Sequence, residues 1–227
     1  MKRTVPVAGV LLAAMVLLLT TSCCEESAVE TTGESYLAAA GGLGEPVFEG
    51  SEGAQLFQSK TCITCHGSDG QTPLLPNYPM IAGQGQIYST QQMLDIKSGA
   101  RANGQSAAMA AIMATVSDEE INILADYIAN ELVRDGYVAP ETEVPMGKKL
   151  FRRRTCFTCH GMDGNTPIMD EYPRLAGQNP EYALQQMKDI HSGARNNGQT
   201  IAMQGIIHLV NDEEMAILAE YISQLEY

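Results

Sequence analysis

Two short motifs carry the chemistry that this sequence suggests. Residues 62–66 read CITCH, and residues 156–160 read CFTCH. In a CxxCH motif, two thiols add across the vinyl groups of one porphyrin, and the adjacent histidine becomes an axial ligand of the iron. The doubled motif therefore predicts two covalently bound haem c groups. The predicted attachment residues are Cys62, Cys65 and His66 in the first motif, and Cys156, Cys159 and His160 in the second. Two redox-active disulfides are the alternative for the same cysteine spacing.

The motifs belong to a long internal repeat. Residues 53–128 match residues 147–222 without a gap, at a constant offset of 94, and more than half of the aligned positions are identical. Such self-similarity predicts two copies of one folded unit. Each unit has only about 80 residues, a size at which one apolar core is marginal, so a buried porphyrin would complete the core.

The N-terminus has the pattern of an export signal. A basic start, Met1 to Arg3, precedes an apolar run over residues 5–19 that is short for a membrane span, which predicts a signal peptide over residues 1–22. Residues 19–23 also resemble a lipoprotein cleavage box, which predicts a lipid on Cys23. The alternative is an ordinary signal peptide. We therefore expect a periplasmic protein, anchored to a membrane if Cys23 is lipidated.

The composition of two further segments predicts the remaining domain boundaries. Residues 23–46 are rich in Glu, Ser, Thr, Gly and Ala and predict a flexible tether. Residues 135–145 contain Gly136, Pro140 and Pro145 without an apolar repeat, and predict a linker. The two domains then span residues 47–134 and 146–227.

The formal charge of −13 argues against nucleic acid as a partner. It favours basic docking patches on redox partners, although an acidic surface also serves solubility alone.

Within each domain the pattern is helical, which predicts an all-α fold. Ser117 and Glu120 form a capping-box pattern that starts a terminal helix, and Asn211 with Glu214 repeats it. The apolar positions that follow recur at helical spacing and predict core residues: Ile121, Leu124, Ala125, Ile128 and Leu132, then Met215, Leu218, Ala219, Ile222 and Leu225.

One glycine in the helix before each haem motif points to a packing constraint. Gly53 and Gly147 each precede a phenylalanine by four residues. Because glycine within a helix usually needs a packing reason, we expect a close crossing with the terminal helix near Tyr127 and Tyr221.

The sixth iron ligand decides between electron transfer and small-molecule chemistry. Of the methionines between each haem motif and the capped helix, only Met93/Met187 and Met109/Met203 recur in both repeats. Met93 and Met187 fit a helix core. Met109 and Met203 follow Gly/Asn-rich loops, residues 98–104 and 192–198, that are able to fold over a haem face. We therefore predict Met109 and Met203 as axial ligands.

Other ligands are alternatives. Met113 competes in the first repeat but is replaced by Ile207 in the second. His191 and His208 would give a second haem with two histidine ligands, but their counterparts are Lys97 and Ala114.

At this level of detail the chain resembles the diheme cytochromes c of the cytochrome c4 type, which are two fused class I cytochrome c domains. The resemblance covers nearly all of residues 53–227. It rests on CxxCH-Gly-x-Asp-Gly, on the segments 78–84 (YPMIAGQ) and 172–178 (YPRLAGQ), and on the methionine before each capped helix. It implies two helical domains, each wrapped around one haem. It also implies that the Pro79 and Pro173 carbonyls accept a hydrogen bond from the haem histidines. Arg101 and Arg195 are then either propionate partners or solvated loop charges.

The expected function is electron carriage and not catalysis. The resemblance implies a diheme carrier that takes single electrons from a quinol-oxidising complex or dehydrogenase and passes them to a terminal oxidase or reductase. One alternative is a cytochrome subunit within a larger dehydrogenase or reductase. A diheme peroxidase is the other, and it would need an open iron site.

Overall fold

The computed structural model describes residues 49–134 and 144–227, and these residues form helices joined by loops, with no strand among them. The described helices are α1 (Glu52–Ser59), α2 (Cys62–His66), α3 (Gln86–Ser98), α4 (Ser106–Met113), α5 (Asp118–Asn130), α6 (Pro145–Arg153), α7 (Phe157–His160), α8 (Pro180–Ser192), α9 (Thr200–Ile207) and α10 (Asp212–Ser223). The first five belong to the first repeat and the last five to the second. The predicted signal peptide, the predicted tether and residues 135–143 of the predicted linker lie outside the described residues. Across the described ranges, no helix has the length and apolar character needed to cross a bilayer.

The last helix of each repeat is the centre of its packing. Helix α5 packs against α1 and α3, and α10 packs against α6 and α8. The predicted capping boxes start both helices. In the first repeat, the Ser117 hydroxyl accepts from the Glu120 amide at 3.1 Å, and the Glu120 carboxylate accepts from the Ser117 amide at 2.7 Å. Asn211 and Glu214 make the same reciprocal pair in the second repeat.

The predicted core is confirmed. All five predicted positions of the first repeat are buried, and so are four of the five in the second, with Leu225 half-buried. Met93 and Met187 are buried in the same clusters, as expected for helix-core residues. Phe57 and Phe151 are also nearly inaccessible to solvent, and their rings lie 5.6 Å from those of Tyr127 and Tyr221.

The close helix crossing predicted from the glycines is also confirmed. A methyl group at Gly53 would lie 2.4 Å from Tyr127 Cβ, and one at Gly147 would lie 2.3 Å from Tyr221 Cβ. Both distances are far below van der Waals contact. Glycine therefore lets the first helix of each repeat approach the last helix closely enough to hold the haem-attachment segment in place.

Two glutamine side chains connect the two repeats. Each donates one hydrogen bond to the backbone of the other repeat and accepts one from it, as a neighbouring β-strand would. Gln178 accepts a hydrogen bond from the Met80 amide and donates one to the Met80 carbonyl, both at 2.9 Å. Gln84 makes the equivalent pair with the backbone of Arg174, at 2.8 and 3.0 Å. Both glutamines are buried. The identical AGQ segments of the two repeats thus bind each other reciprocally across the interface.

Gly147→Ala should destabilise the protein by about 1–3 kcal/mol, because the added methyl group overlaps Tyr221 and the helices must move apart. Chemical denaturation followed by circular dichroism measures the change. Gly205→Ala is the matched control, since a methyl group there meets nothing within 4 Å and the first repeat has Ala111 at this position. The control should gain about 0.5–1 kcal/mol. Equal effects of the two substitutions would contradict the close crossing.

Gln178→Ala should cost about 1–3 kcal/mol, because it leaves the buried amide and carbonyl of Met80 without partners. The same denaturation experiment measures the loss, and the two repeats should begin to unfold separately. Gln199→Ala, at an exposed glutamine, should leave a single unchanged transition. A normal transition for Gln178→Ala would show that the interface does not depend on this pair.

Candidate haem sites

Each CxxCH motif forms a short helix whose two thiols and histidine lie within one turn or so of each other. Helix α2 contains the whole first motif, and α7 starts one residue after Cys156. No disulfide joins the four cysteines of the two motifs, and each is half-buried. Burial raises the pKa of Cys62 and Cys156 to about 11. A redox-active CxxC cysteine usually has a lowered pKa instead.

The histidine rings are held in one orientation. His66 Nδ1 lies 3.1 Å from the Pro79 carbonyl oxygen, and His160 Nδ1 lies 2.9 Å from that of Pro173. Each Nδ1–H therefore donates to the carbonyl, as the resemblance implied, and Nε2 is left with a lone pair for a metal. Burial lowers the pKa of both imidazoles, and the proline carbonyls only partly offset this effect. The rings are thus neutral, which is the form that binds iron.

The loop after each CxxCH motif forms a tight turn that brings the chain back toward the motif. Gly67 has φ of 79°, and a methyl group there would lie 2.5 Å from the Thr72 carbonyl oxygen. The Asp69 carboxylate accepts from the amides of Gln71 and Thr72, each at 2.9 Å, which closes the turn. Asp163 makes the same turn in the second repeat. The Gly-x-Asp-Gly pattern after each CxxCH is therefore a turn that returns the chain toward the histidine.

One feature of the site had no sequence signal. Thr61 and Thr155, each directly before the first cysteine, have φ of 60° and 58°. A β-branched residue rarely adopts this left-handed conformation, and such strain persists only where the surrounding structure enforces it. Cys62 and Cys156 are held in place by this sharp turn. The recurrence of threonine at both positions was visible in the sequence, but threonine does not by itself predict a positive φ.

The predicted methionine ligands lie on helices and not on the loops that precede them. Met109 is in α4 and Met203 is in α9, and both pack against the core cluster of their repeat while remaining half-buried. Met113 is almost fully buried, and so is its counterpart Ile207. Because a hydrocarbon fills the same place in the second repeat, the environment of Met113 is that of a packing residue.

His191 and His208 lie together on the surface of the second repeat. Their rings are 4.9 Å apart in an edge-to-face arrangement, and both line a shallow, open surface depression beside Asp212 and Glu213. Neither is fully buried, unlike His66 and His160.

The two loop arginines are not solvated charges, so that alternative was wrong. Arg101 and Arg195 are buried, and each reaches the opposite repeat. Arg101 donates to the Tyr182 hydroxyl at 3.1 Å and to Gln186, and Arg195 donates to the Tyr88 hydroxyl at 3.0 Å and to Gln92.

The neighbouring asparagines extend this network. Asn103 donates to Asp189, and Asn197 donates to Asp95, both at 2.6 Å. The loops that precede the two candidate methionines are therefore fixed by the partner repeat. Sequence reasoning missed this role, although the identical GARxNGQ segments of both repeats carried the signal.

These residues fit a covalently bound haem in each repeat. In each repeat, two thiols lie next to a buried, neutral histidine. The proline carbonyl binds its Nδ1, so its Nε2 stays available for iron. A methionine thioether packs against the apolar cluster of the same repeat. When bound, haem supplies a one-electron Fe(III)/Fe(II) couple. The protein supplies the attachment, the ring orientation and the apolar surroundings.

Comparison with known proteins agrees with this geometry. The cytochrome c family model matches residues 50–131 and again residues 144–226. Cytochrome c4 from Pseudomonas aeruginosa is 33% identical over 184 residues, which cover 78% of this chain and 89% of the relative. A thiosulfate dehydrogenase electron acceptor from Stutzerimonas stutzeri is 31% identical over 173 residues, which cover 72% of this chain and 78% of that protein.

A solved structure has the same fold. Reduced recombinant cytochrome c4 from Pseudomonas stutzeri superposes with a TM-score of 0.65 at 29% identity, covering 78% of this chain and all of that one. Cytochromes of this type carry electrons and are not enzymes. The chain therefore belongs to the cytochrome c family, as a diheme electron carrier of the cytochrome c4 type with one covalently bound haem c in each of its two tandem domains.

Proposed function

We propose that the chain is a periplasmic shuttle that takes single electrons from a quinol-oxidising complex or a dehydrogenase and delivers them to a terminal oxidase or reductase. The observation that carries the proposal is that both repeats contain a buried histidine bound to a proline carbonyl and a half-buried methionine that packs on the apolar core. A haem iron with histidine and methionine on its two faces has no vacant position for a substrate. Electron exchange at the haem edge is then the chemistry left to the protein.

We assign the haem ligands accordingly. Cys62 and Cys65 attach the first haem, with His66 and Met109 as axial ligands. In the second repeat, Cys156 and Cys159 attach the haem, with His160 and Met203 on the iron. Two facts support the methionines over their competitors: Met113 has a buried hydrocarbon counterpart, and His191 and His208 contact each other at the surface.

The two haems should have unequal potentials, because equivalent positions beside them carry different charges. Pro173, which binds His160, is followed by Arg174, whereas Pro79 is followed by Met80. Arg174 donates from its side chain to the Gly83 carbonyl at 2.6 Å and is half-buried, so its charge is only partly screened. A positive charge near a haem favours the reduced iron, so the exchange of Met80 for Arg174 should make the two potentials unequal.

Three further assignments complete the proposal. Residues 1–22 serve as the export signal, Cys23 carries a lipid anchor, and residues 23–46 tether it to domains that span residues 47–134 and 146–227. Donor proteins for such carriers include dehydrogenases, as the name of the Stutzerimonas stutzeri relative indicates for that protein. A role as the cytochrome subunit of a dehydrogenase is the second candidate on that ground.

Met203→Ala should remove the charge-transfer absorption band of a methionine-bound ferric haem from the second repeat and lower that haem's potential, because methionine ligation raises it. Visible spectroscopy and potentiometry measure both effects. Met146→Leu, at an exposed methionine of α6, should change neither. If the band survives in Met203→Ala, another residue binds the iron.

The shuttle role predicts that the reduced diheme protein is oxidised by membranes that contain a terminal oxidase, and that cyanide blocks this oxidation. Stopped-flow spectroscopy follows both haems. Hydrogen peroxide should oxidise the protein only slowly, because no iron site is open. Rapid peroxide turnover would indicate a peroxidase, and copurification of the protein with one dehydrogenase in fixed proportion would indicate a subunit.

A further inference from the structure

Two histidines outside the haem motifs are placed side by side by the ends of two helices. His191 lies in the last turn of α8, and His208 is the residue that caps the C-terminus of α9. Their counterparts in the first repeat are Lys97 and Ala114, so the first repeat has no imidazole at either position. The histidine pair therefore distinguishes the second repeat from the first.

Both imidazoles of the pair have nitrogens to offer to a ligand. Across residues 49–134 and 144–227, neither ring makes a hydrogen bond or an ion pair. The contrast is with His66 and His160, whose Nδ1 atoms are bound by proline carbonyls. His208 is exposed and His191 is half-buried, so both rings are accessible from solvent.

The separation of the two rings is the one that a shared metal ion requires. Two imidazoles that bind one ion at a metal–nitrogen distance of about 2.1 Å, with an angle of about 90–110° at the metal, have ring centres about 4.5–5.2 Å apart. The ring centres of His191 and His208 are 4.9 Å apart. The two helix ends therefore already hold the rings at the spacing of neighbouring ligands.

Acidic side chains supply the charge that a cation needs at this place. Asp212 and Glu213, in the first turn of α10, are exposed and line the surface depression together with both histidines. In the first repeat, the equivalent Asp118 carboxylate binds Lys97 Nζ at 2.7 Å. His191 stands in the position of that lysine. The second repeat thus keeps the carboxylate but replaces its cationic partner with a side chain that is able to bind a metal.

The arrangement is a pair of ligands and not a closed cage. Among the described residues, no group of three or more His, Cys, Asp or Glu side chains is already arranged to hold a metal. The exposed Asp212 side chain has to turn toward the imidazoles to become a third ligand, and water fills the remaining position. Structural zinc sites are closed by four protein ligands, so an ion held here would be exchangeable.

We propose that His191 and His208 bind one divalent transition-metal ion, with the Asp212 carboxylate as the third ligand. Two imidazole nitrogens and one carboxylate oxygen suit Zn²⁺, Ni²⁺ and Cu²⁺, whereas Mg²⁺ and Ca²⁺ prefer oxygen ligands alone. Cu²⁺ should bind most tightly, because the affinity of such sites rises along the first transition series to copper. The net charge of −13 attracts every cation, but only the imidazoles select a transition metal.

A bound ion would join the ends of α8 and α9 to the start of α10. Helix α9 carries Met203, so the ion would also hold the helix that presents this methionine. The site does not depend on the shuttle function, since its ligands are separate from those that we assign to either iron.

Calorimetric titration of the diheme protein with Zn²⁺ tests the site, because Zn²⁺ exchanges no electrons with haem. His191→Lys and His208→Ala are the matched variants, since each introduces the residue of the first repeat. Each should weaken binding by about 10–100-fold, and Asp212→Asn by about tenfold. Leu209→Thr is the control, because Leu209 is exposed beside His208 and the first repeat has threonine there. It should leave the affinity unchanged.

Electron paramagnetic resonance of added Cu²⁺ identifies the ligands. The chain has four histidines, and His66 and His160 are assigned to iron. Coupling of copper to two imidazole nitrogens would therefore come from His191 and His208. Thiolate or carboxylate ligands elsewhere in the chain would not give this coupling.

Transfer of the pair to the first repeat tests whether it is sufficient. Lys97→His/Ala114→His places two imidazoles beside Asp118 and Glu119, which correspond to Asp212 and Glu213. This variant should bind a second Zn²⁺ ion with an affinity within about tenfold of the first. Lys97→His alone should bind no second ion, because Ala114 provides no ligand.

The proposal would be overturned if His191→Lys and His208→Ala bound Zn²⁺ as tightly as the native chain, because the ion would then lie elsewhere. Absence of binding by the native chain, or a copper spectrum without imidazole coupling, would have the same meaning: the two rings would be a packing contact alone. A double variant that binds no second ion would show that the imidazole pair and the shared carboxylates are insufficient. Unchanged haem spectra and metal-free unfolding midpoints would show that the variants are folded.

Discussion

A single hydrogen bond in each repeat, from a histidine Nδ1 to a proline carbonyl, sets the geometry on which the rest of the protein depends. It fixes the tautomer and the plane of the imidazole, and so directs Nε2 toward the place where iron is bound. For this bond to form, the chain must come back to the histidine at the proline 13 residues later. The Asp69 and Asp163 turns and the glycines with positive φ produce that return. The residues around each CxxCH motif are therefore explained by the need to hold one ring.

The apolar core supports the same ring from the other direction. Gly53 and Gly147 allow the first helix of each repeat to touch the last, and the haem segment begins where that first helix ends. The strained threonine at this junction is held by the packed helices on one side and by the cysteine helix on the other. In domains of this size, the porphyrin is part of the core as well as the redox centre.

Duplication gave the protein two copies of this unit, and the interface between them reuses the segments that surround the haem. The AGQ glutamines lie five residues after the prolines that bind the histidines, and the GARxNGQ loops precede the helices of Met109 and Met203. Both segments bind the opposite repeat. Movement of one domain would therefore disturb the surroundings of both haems. The symmetry is broken at the surface, where four cations of α6 replace uncharged residues of α1, and at Arg174, which replaces Met80.

The sequence alone was sufficient for the cofactor, the duplication, the helical class and most of the core. These features depend on local spacing: CxxCH within one helical turn, a capping box, and apolar residues at a period of 3.6. Comparing the repeats also predicted the glycine crossings, because a costly residue that recurs beside the same phenylalanine needs a packing reason. The assignment of Met109 and Met203 was made in the same way and remains a proposal.

Only the tertiary structure decided how the repeats meet. The local sequence around an arginine does not show whether its side chain is solvated or buried against the other domain. The roles of Arg101 and Arg195 are visible only from their contacts with residues more than 80 positions away. The left-handed conformation of Thr61 and Thr155 is likewise imposed by packing against the intrinsic preference of threonine. The basic residues of α6 were readable in the sequence. Their common exposed face beside the second haem segment follows from the way the helix packs on α10, which buries its opposite side.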